Sequence, residues 1–191
     1  FIHRNRMQGA GYGVNSSHGG YPLIEGNTFV SNRHAIKAGG EKHTGYRAWD
    51  NLVLSEAPLQ HGLFHTQDFD MHGTEDQLLE SGVGGDGGQY IEIARNTFLG
   101  DNRENFDLRG APCFPADFHH NVSLRSLDDA VACTICAVKG MPNGRGVTPL
   151  PTSTYINPPN NHFNSGNPTT RLGVGDFDGD GRDDLFLATG A

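Results

Sequence analysis

The residues best suited to chemistry lie between His61 and Gly73, in the segment HGLFHTQDFDMHG. Three histidines and two aspartates fall here among apolar residues that would anchor the segment to a core. Imidazole and carboxylate groups at this density can transfer protons, or they can bind a transition metal such as Zn²⁺ or Mn²⁺. A hydrated strand end without chemistry is the alternative interpretation. The candidate transition-metal ligands are His65, Asp68, Asp70 and His72.

A second concentration of ligand-type residues lies at 174–187, in the sequence VGDFDGDGRDDLFL. Alternating aspartates can converge on one hard cation, and the glycines between them permit a tight turn. Because all the available ligands are oxygens, the segment predicts a Ca²⁺ site rather than a zinc or copper site. The predicted ligands are the side chains of Asp176, Asp178, Asp180 and Asp184 and the carbonyl of Arg182.

Composition limits the class of protein and its partners. The chain has 191 residues, with 27 glycines and 10 prolines, which favours a turn-rich, β-rich domain. Its net charge of −8 disfavours a nucleic-acid partner, since such partners require clustered Lys and Arg. No run approaches the roughly 20 apolar residues of a membrane span. The chain starts without Met, and we interpret both ends as cuts through a longer protein.

The segments that must position these residues form a repeat. An apolar residue, a short spacer, an asparagine, one residue and a second apolar residue recur around Asn5, Asn27, Asn51, Asn96 and Asn121. The intervals between these asparagines are 22, 24, 45 and 25 residues. The third is close to the sum of two of the others, which indicates an extra coil or an insertion. Such a period predicts a solenoid, in which equivalent asparagines stack in left-handed turns and hydrogen-bond through their amides.

Each asparagine is followed by a second predicted strand, at 13–16, 35–38, 62–65, 105–108 and 130–133. Strand alternation then predicts one inward column and one outward column of side chains. The inward column is Val14, Ile36, Leu63, Phe106 and Val131, and the outward column is Asn15, Lys37, Phe64, Asp107 and Ala132. A second outward position contains Thr66 and Arg109, and His65 is predicted to point inward.

On these residues the chain resembles the right-handed parallel β-helix family, the fold of pectate lyases and related proteins that degrade or bind polysaccharides. The resemblance covers about residues 1 to 135. It implies an all-β, secreted, extracellular protein with a polysaccharide substrate held along the solenoid. A β-sandwich is the alternative fold, although its turns would recur at about 8 to 12 residues.

The terminal aspartate loop is similar to the FG-GAP or VCBS-type repeat of integrin-like β-propellers, in which D-x-D-G-D-G-x-x-D precedes a strand. The predicted fold is therefore a right-handed parallel β-helix solenoid with a short C-terminal partial FG-GAP-like repeat. The predicted divisions are a β-helix at 1–138, a Pro/Gly/Asn-rich linker or wrapping loop at 139–170, and the calcium-binding repeat at 171–191.

The resemblance to β-helix lyases implies Ca²⁺ bound to aspartates and a Lys or Arg as base. Lys37 or Arg109 then takes the role of base, and Asp68 with Asp70 takes the metal role. Hydrolysis would instead use paired carboxylates chosen from Asp68, Asp70 and Asp107. The candidate catalytic residues are Lys37, Asp68, Asp70, His72 and Arg109. A calcium-stabilised, non-catalytic module for glycan binding or surface attachment is the competing hypothesis.

Three lesser features carry structural predictions. Cys113, Cys133 and Cys136 are predicted to be buried thiols, because no metal partners or redox context accompany them. The glycine-rich stretch 82–88 is predicted to be a mobile insertion, since it lacks the Lys-Ser/Thr of a phosphate-binding loop. The remaining histidines of interest, His3, His34, His119 and His120, are predicted to be solvated or to flank the asparagine column.

Overall fold

The computed structural model describes residues 1–9, 11–56, 67–75, 82–100, 104–126, 130–139, 154–157, 159–163, 170–175 and 184–189. Almost all of these residues form strands or the short turns between them. The elements in chain order are β1 (Ile2–His3), β2 (Arg6–Gln8), β3 (Tyr12–Ser16), β4 (Leu23–Glu25), β5 (Thr28–Asn32), β6 (His34–Ala38), β7 (Tyr46–Trp49), β8 (Leu52–Glu56), β9 (Phe69–Met71), β10 (Ile91–Ala94), β11 (Thr97–Phe98), β12 (Phe106–Leu108), β13 (Ala116–His119), β14 (Val122–Ser123), β15 (Val131–Ala132), α1 (Thr134–Lys139), β16 (Ile156–Asn157), β17 (His162–Phe163), β18 (Thr170–Gly175) and β19 (Asp184–Thr189).

Seventeen of these strands form three parallel sheets. Sheet A has the order β1-β4-β7-β10-β13-β16, sheet B the order β17-β14-β11-β8-β5-β2, and sheet C the order β15-β12-β9-β6-β3. The chain therefore visits the three sheets in turn and returns to each one strand further along. This topology is that of a parallel β-helix-like solenoid, so the predicted all-β, parallel architecture is confirmed.

Alternation within the short strands makes the core. In β10, Ile91 and Ile93 are fully buried while Glu92 between them is partly exposed, because alternate residues of a strand face opposite sides. Aromatic rings fill the interior from coil to coil: the Phe29 and Phe69 centroids are 6.3 Å apart and those of Phe69 and Phe98 are 5.0 Å apart. These edge-to-face contacts add to the stabilisation from apolar burial.

The predicted asparagine ladder is present and continues to Asn161, in a last coil. The amide Nδ2 of each asparagine donates to Oδ1 of its counterpart in the next coil, for example from Asn27 to Asn51 at 3.0 Å and from Asn51 to Asn96 at 2.9 Å. The backbone N–H groups of Asn27 and Asn51 donate to the same oxygens. Because Asn51 and Asn96 are bonded directly, the long interval between them contains an insertion and not an extra coil.

The left-handed backbone lies one residue before each asparagine and not at the asparagine itself, which corrects the prediction. The residues with positive φ that precede the ladder are Arg4, Gly26, Asp50, Arg95, His120 and Asn160, with φ between 51° and 63°. The turn thus occurs at the residue before each asparagine. The side-chain amide of the asparagine hydrogen-bonds to the adjacent coils.

The second strand of the middle coil was predicted six residues too early. The inward column of sheet C runs through Val14, Ile36, Phe69, Phe106 and Val131, so Phe69 occupies the place predicted for Leu63. In the outward column Asp70 takes the place predicted for Phe64, and Leu63, Phe64 and Thr66 lie outside the described residues. A shift of six preserves strand parity, and alternation alone does not distinguish two apolar residues of the same parity. His65 lies outside the described residues.

Past residue 138 the solenoid continues. Within the predicted linker, β16 pairs with β13 and β17 pairs with β14, so residues 156–157 and 162–163 extend sheets A and B. Strands β18 and β19 form a separate antiparallel hairpin in which Gly175 and Asp184 are paired. The predicted calcium ligands Asp176, Asp178, Asp180 and Arg182 lie outside the described residues, and Asp184 begins β19.

The prediction of buried thiols is wrong. Cys133 and Cys136 form a disulfide beside α1, and Cys113 is an exposed free thiol. A spacing of three residues allows this closure because the helical turn begins between the two cysteines. Among the described residues, no helix has both the length and the apolar character to cross a membrane.

Candidate functional site

The candidate site lies on the face of sheet C opposite to the core. Phe69 and Met71 of β9 belong to the buried core, so Asp70 between them must face the other side. Lys37 on β6 and Asp107 on β12 are the register partners of Asp70 on its two sides. Solenoid stacking thus places one cationic and two carboxylic side chains in a row.

Asp70 is the centre of a dense polar cluster and is fully buried. Arg109 pairs with it through two hydrogen bonds, from Nε to Oδ1 at 3.0 Å and from Nη2 to Oδ2 at 2.6 Å. His72 Nε2 lies 2.8 Å from Oδ2. Burial alone would raise the pKa of Asp70, but the His72 hydrogen bond and the Arg109 charge hold it well below its ordinary value. Asp70 is therefore ionised at neutral pH.

The glycine-rich stretch 82–88 belongs to the insertion between Asn51 and Asn96, as predicted, and it packs against this cluster. Gly84 N–H donates to the Arg109 carbonyl at 2.8 Å, and Gly73 N–H donates to the Gly82 carbonyl at 2.6 Å. A Cβ on Gly82 would lie 2.3 Å from His72 Nδ1, and its φ of +80° also favours glycine. Glycine is required at position 82 because the backbone there lies directly against the His72 side chain.

His34 belongs to the cluster, although it was predicted to be solvated or to flank the ladder. Its side chain is 1% exposed, and its Nδ1 lies 3.0 Å from the Gln67 carbonyl oxygen. Its Nε2 lies 3.7 Å from Asp70 Oδ2, beyond hydrogen-bonding distance. Burial lowers the pKa of His34 to about 4 despite the opposing charge of Asp70, so this imidazole is neutral at pH 7.

Asp107 has the opposite electrostatic character to Asp70. It is 3% exposed and accepts a hydrogen bond from Thr134 Oγ1 at 2.8 Å. Burial, followed by the negative charge of Asp70, raises the pKa of Asp107 to about 7. Two neighbouring carboxyl groups therefore differ in protonation at neutral pH, which is the arrangement that separates proton donors from ionised groups in many enzymes.

Of the predicted catalytic residues, the structure brings Asp70, His72 and Arg109 into direct contact and places Lys37 on the next strand. Asp68 is directed elsewhere: it is 2% exposed, and its Oδ2 accepts a hydrogen bond from Asn105 Nδ2 at 2.8 Å. Lys37 is partly exposed. His3 and His120 are exposed, and His119 is partly exposed with Nε2 3.4 Å from Glu92.

No family model, curated protein or solved structure matches this chain. The resemblances to pectate lyases and to FG-GAP repeats therefore remain interpretations of the residues themselves.

Sequence reasoning missed His34 as a member of the site. Its position at the first residue of β6 gives no local signal, because the partner that identifies it, Asp70, is 36 residues away in the chain. The role of Asp107 as the neighbour of Asp70 was missed because the middle strand was predicted in the wrong place. Correct placement of β9 would have aligned Lys37, Asp70 and Asp107.

Asp107→Asn is expected to stabilise the protein increasingly as pH rises from about 4 to about 7. The carboxyl has a pKa of about 7 in the folded protein against an ordinary value of 3.8. Between these values the folded state keeps a proton that the unfolded state has lost, so this group lowers the free energy of unfolding as pH rises. Asparagine at position 107 does not titrate, so the variant avoids this loss. Above pH 7 its free energy of unfolding should exceed that of the wild-type protein by about 2 to 4 kcal/mol.

Urea unfolding of both proteins at about pH 5 and about pH 8 measures this difference. The depressed pKa of His34 acts with the opposite sign in part of the same range, but it acts in both proteins and cancels in the comparison. A difference that is independent of pH would contradict the shift assigned to Asp107.

Proposed function

We propose that the protein is an extracellular, polysaccharide-active enzyme that cleaves an acidic or other polysaccharide by elimination or hydrolysis. The observation that carries this proposal is the pairing of Asp70 with Asp107 on the outer face of sheet C. Their pKa values are shifted in opposite directions, so an ionised carboxylate lies beside one that exchanges its proton near pH 7. Groups with a pKa near the working pH are the most effective in proton transfer.

Each neighbouring side chain has a role in this proposal. Asp107 is the proton-transferring group. Arg109 supplies the positive charge that a uronate carboxylate needs during elimination, and Lys37 is the candidate base. Asp70 and His72 are positioning residues, since both contact Arg109 and fix its guanidinium. In hydrolysis, Asp107 would instead protonate the glycosidic oxygen.

An extracellular location is supported by the disulfide between Cys133 and Cys136. Disulfides persist mainly in oxidising compartments, where the polysaccharides of cell walls and matrices are also found. Thr134, which hydrogen-bonds Asp107, lies within the four-residue disulfide loop, so this crosslink also holds a residue of the site.

A substrate panel tests the proposal. We expect wild-type protein incubated with uronate and neutral polysaccharides to release unsaturated ends if it eliminates, or reducing ends alone if it hydrolyses. Asp107→Asn and Lys37→Ala should each lower the rate by about 100-fold or more, whereas Lys42→Ala, an exposed lysine outside the row, should not. Release of no product from any substrate would refute the proposed enzymatic function. Full activity in both site variants would refute the assignment of Asp107 and Lys37 to it.

The terminal aspartate loop is proposed to bind Ca²⁺ through Asp176, Asp178, Asp180, Arg182 and Asp184. The pairing of Gly175 with Asp184 fits this ligand set, because it closes the hairpin and holds the two ends of the loop together. The cation would neutralise the clustered carboxylates and rigidify this end of the chain.

We expect wild-type protein to retain one Ca²⁺ that Asp178→Ala and Asp180→Ala each remove. Metal analysis after extensive dialysis measures the content, with Asp86→Ala as the control at an exposed aspartate elsewhere. Unchanged calcium in both loop variants would eliminate this site.

Non-catalytic glycan binding is the second candidate function, and exposed aromatic side chains favour it. Tyr12, at the start of β3, is 40% exposed and has the Arg33 guanidinium 5.7 Å from its ring centroid. The Tyr12 ring is also stacked on His34, with ring centroids 5.3 Å apart, so a sugar would contact the part of the ring that remains exposed. Saturable binding of a polysaccharide that is never cleaved, and that weakens in Tyr12→Ala, would favour this function over the enzyme.

A further inference from the structure

We propose that His34, Asp70 and His72 form a binding site for a divalent transition metal, and that Arg109 occupies the place of the cation when the metal is absent. The site is separate from the calcium loop and has a different donor set, two imidazoles and one carboxylate. Its existence does not depend on activity toward a polysaccharide.

The three side chains already converge. One ligand atom from each lies within 4.8 Å of the others, and this is the one such group of His, Cys, Asp or Glu found among the described residues. His72 Nε2 and His34 Nε2 lie 2.8 Å and 3.7 Å from Asp70 Oδ2. Metal–ligand bonds of about 2.0 to 2.2 Å require neighbouring donors about 3.0 to 3.5 Å apart. Adjustments of less than about 1 Å would satisfy that requirement for Asp70 with each histidine, and the two histidines have ligand atoms within 4.8 Å of each other.

His34 provides the independent indication of a ligand. Its Nε2 is buried without a hydrogen-bond partner in the described structure and is directed toward Asp70 Oδ2. A buried imidazole nitrogen without a hydrogen-bond partner destabilises the folded state. Nδ1 of His34 lies 3.0 Å from the Gln67 carbonyl oxygen and 3.2 Å from the Gln67 backbone nitrogen, so either tautomer has a partner there. In the tautomer in which Nδ1 donates to the carbonyl, Nε2 carries the lone pair that a metal requires. A metal-bound histidine commonly donates its other N–H to a backbone carbonyl in this way.

Arg109 explains how the site remains stable without metal. Its Nη2 contacts both Asp70 Oδ2 and His72 Nε2, two of the three proposed ligand atoms. The guanidinium therefore supplies the positive charge at the position where the cation would bind. Metal binding requires Nη2 to withdraw, but the bond from Arg109 Nε to Asp70 Oδ1 can persist. Asp70 would then bind the metal through Oδ2 while Arg109 orients it through Oδ1.

The donor set defines the class of metal. Imidazole with carboxylate suits Zn²⁺, Fe²⁺, Co²⁺ or Mn²⁺, whereas Ca²⁺ prefers oxygen ligands only. Three protein ligands also leave coordination positions open for water or a substrate. Asp107 and Lys37 flank Asp70 on the adjacent strands.

Zinc and cobalt binding to the metal-free protein tests the proposal directly. The titrations use the full chain with Cys113→Ser, without reductant and in excess calcium, so that the exposed thiol and the terminal loop do not compete. We expect one Zn²⁺ to bind and Co²⁺ to give the absorption of a site containing nitrogen ligands. His72→Gln and His34→Gln should each weaken the affinity by on the order of 100-fold or more. His119→Gln combined with His120→Gln is the control, and it should leave the affinity unchanged.

Arg109→Gln provides a second measurement that does not depend on loss of binding. Without the resident guanidinium, Zn²⁺ should bind more tightly and raise the thermal midpoint by more than it raises that of the parent protein. Absence of saturable Zn²⁺ binding in the parent protein would overturn the proposal. Unchanged affinity in folded His72→Gln, or loss of binding in the control variant alone, would do the same.

Discussion

Asp70→Asn is expected to lower the free energy of unfolding by about 3 to 5 kcal/mol, whereas Asp50→Asn is expected to lower it by less than about 1 kcal/mol. Both aspartates accept two hydrogen bonds from one arginine. Asp50 accepts them from Arg95 Nε and Nη2 at 2.9 and 2.8 Å, so the two pairs have nearly the same geometry.

Burial is the difference between the two pairs. The side chains of Arg109 and Asp70 are 6% and 0% exposed, and those of Arg95 and Asp50 are 50% and 45% exposed. Asparagine at position 70 leaves the Arg109 guanidinium charged in a low-dielectric environment, where an uncompensated charge is costly. Asparagine at position 50 leaves Arg95 in water, which solvates it.

Urea unfolding of both variants at neutral pH measures the contrast, and circular dichroism confirms that each retains β structure. Added salt should weaken the small Asp50 effect and leave the Asp70 effect nearly unchanged, since buried charges are screened much less. Equal losses in the two variants would show that Asp70 is not the buried centre of the polar cluster.

Asn51→Ala is expected to lower the free energy of unfolding by about 3 to 5 kcal/mol, because it leaves several buried groups without partners. Its Oδ1 accepts from the backbone N–H of Asn27 at 2.9 Å, and its Nδ2 donates to the Ile24 carbonyl at 2.9 Å. Alanine at position 51 leaves the Asn27 N–H and the Ile24 carbonyl without these hydrogen bonds, in a place that water does not reach. Each orphaned group costs about 1 to 3 kcal/mol.

Asn5→Ala is the matched control at the first position of the same ladder. Asn5 is exposed and water can replace the hydrogen bonds it makes, so we expect a loss below about 1 kcal/mol. Denaturant unfolding compares the two alanine variants. A loss at Asn51 no larger than that at Asn5 would mean that the ladder contributes to register but little to stability.

The stacking of coils explains why the site needs the whole solenoid. Asp70 and Arg109 are separated by 39 residues, and His34 is nearly as far from Asp70 in the other direction. Each comes from a different coil, so formation of the ladder and the core fixes their distances. A substitution in the ladder should therefore perturb the site even though the two do not touch.

The solenoid was predictable from the amino-acid sequence because its signals are local and repeated. An asparagine and alternating apolar residues recur in each coil, and parallel stacking is the arrangement that lets those amides bond one another. The proximity of Asp70, His72 and Arg109 was also predictable, since they are polar groups at or beyond strands of the same sheet, and their function stays a prediction. The calcium loop remains a prediction from its motif.

The set of residues that meet at Asp70 depends on packing between coils and was not predictable from local pattern. Leu63 and Phe69 share strand parity, and the choice of Phe69 depends on its fit beside Phe29 and Phe98 in the core. With Phe69 in the core, Asp70 lies in register with Lys37 and Asp107. The contact of His34 with the same carboxylate comes from packing between coils, where partners far apart in the chain leave no local pattern in the residues. The metal site inferred for His34, Asp70 and His72 follows from that packing.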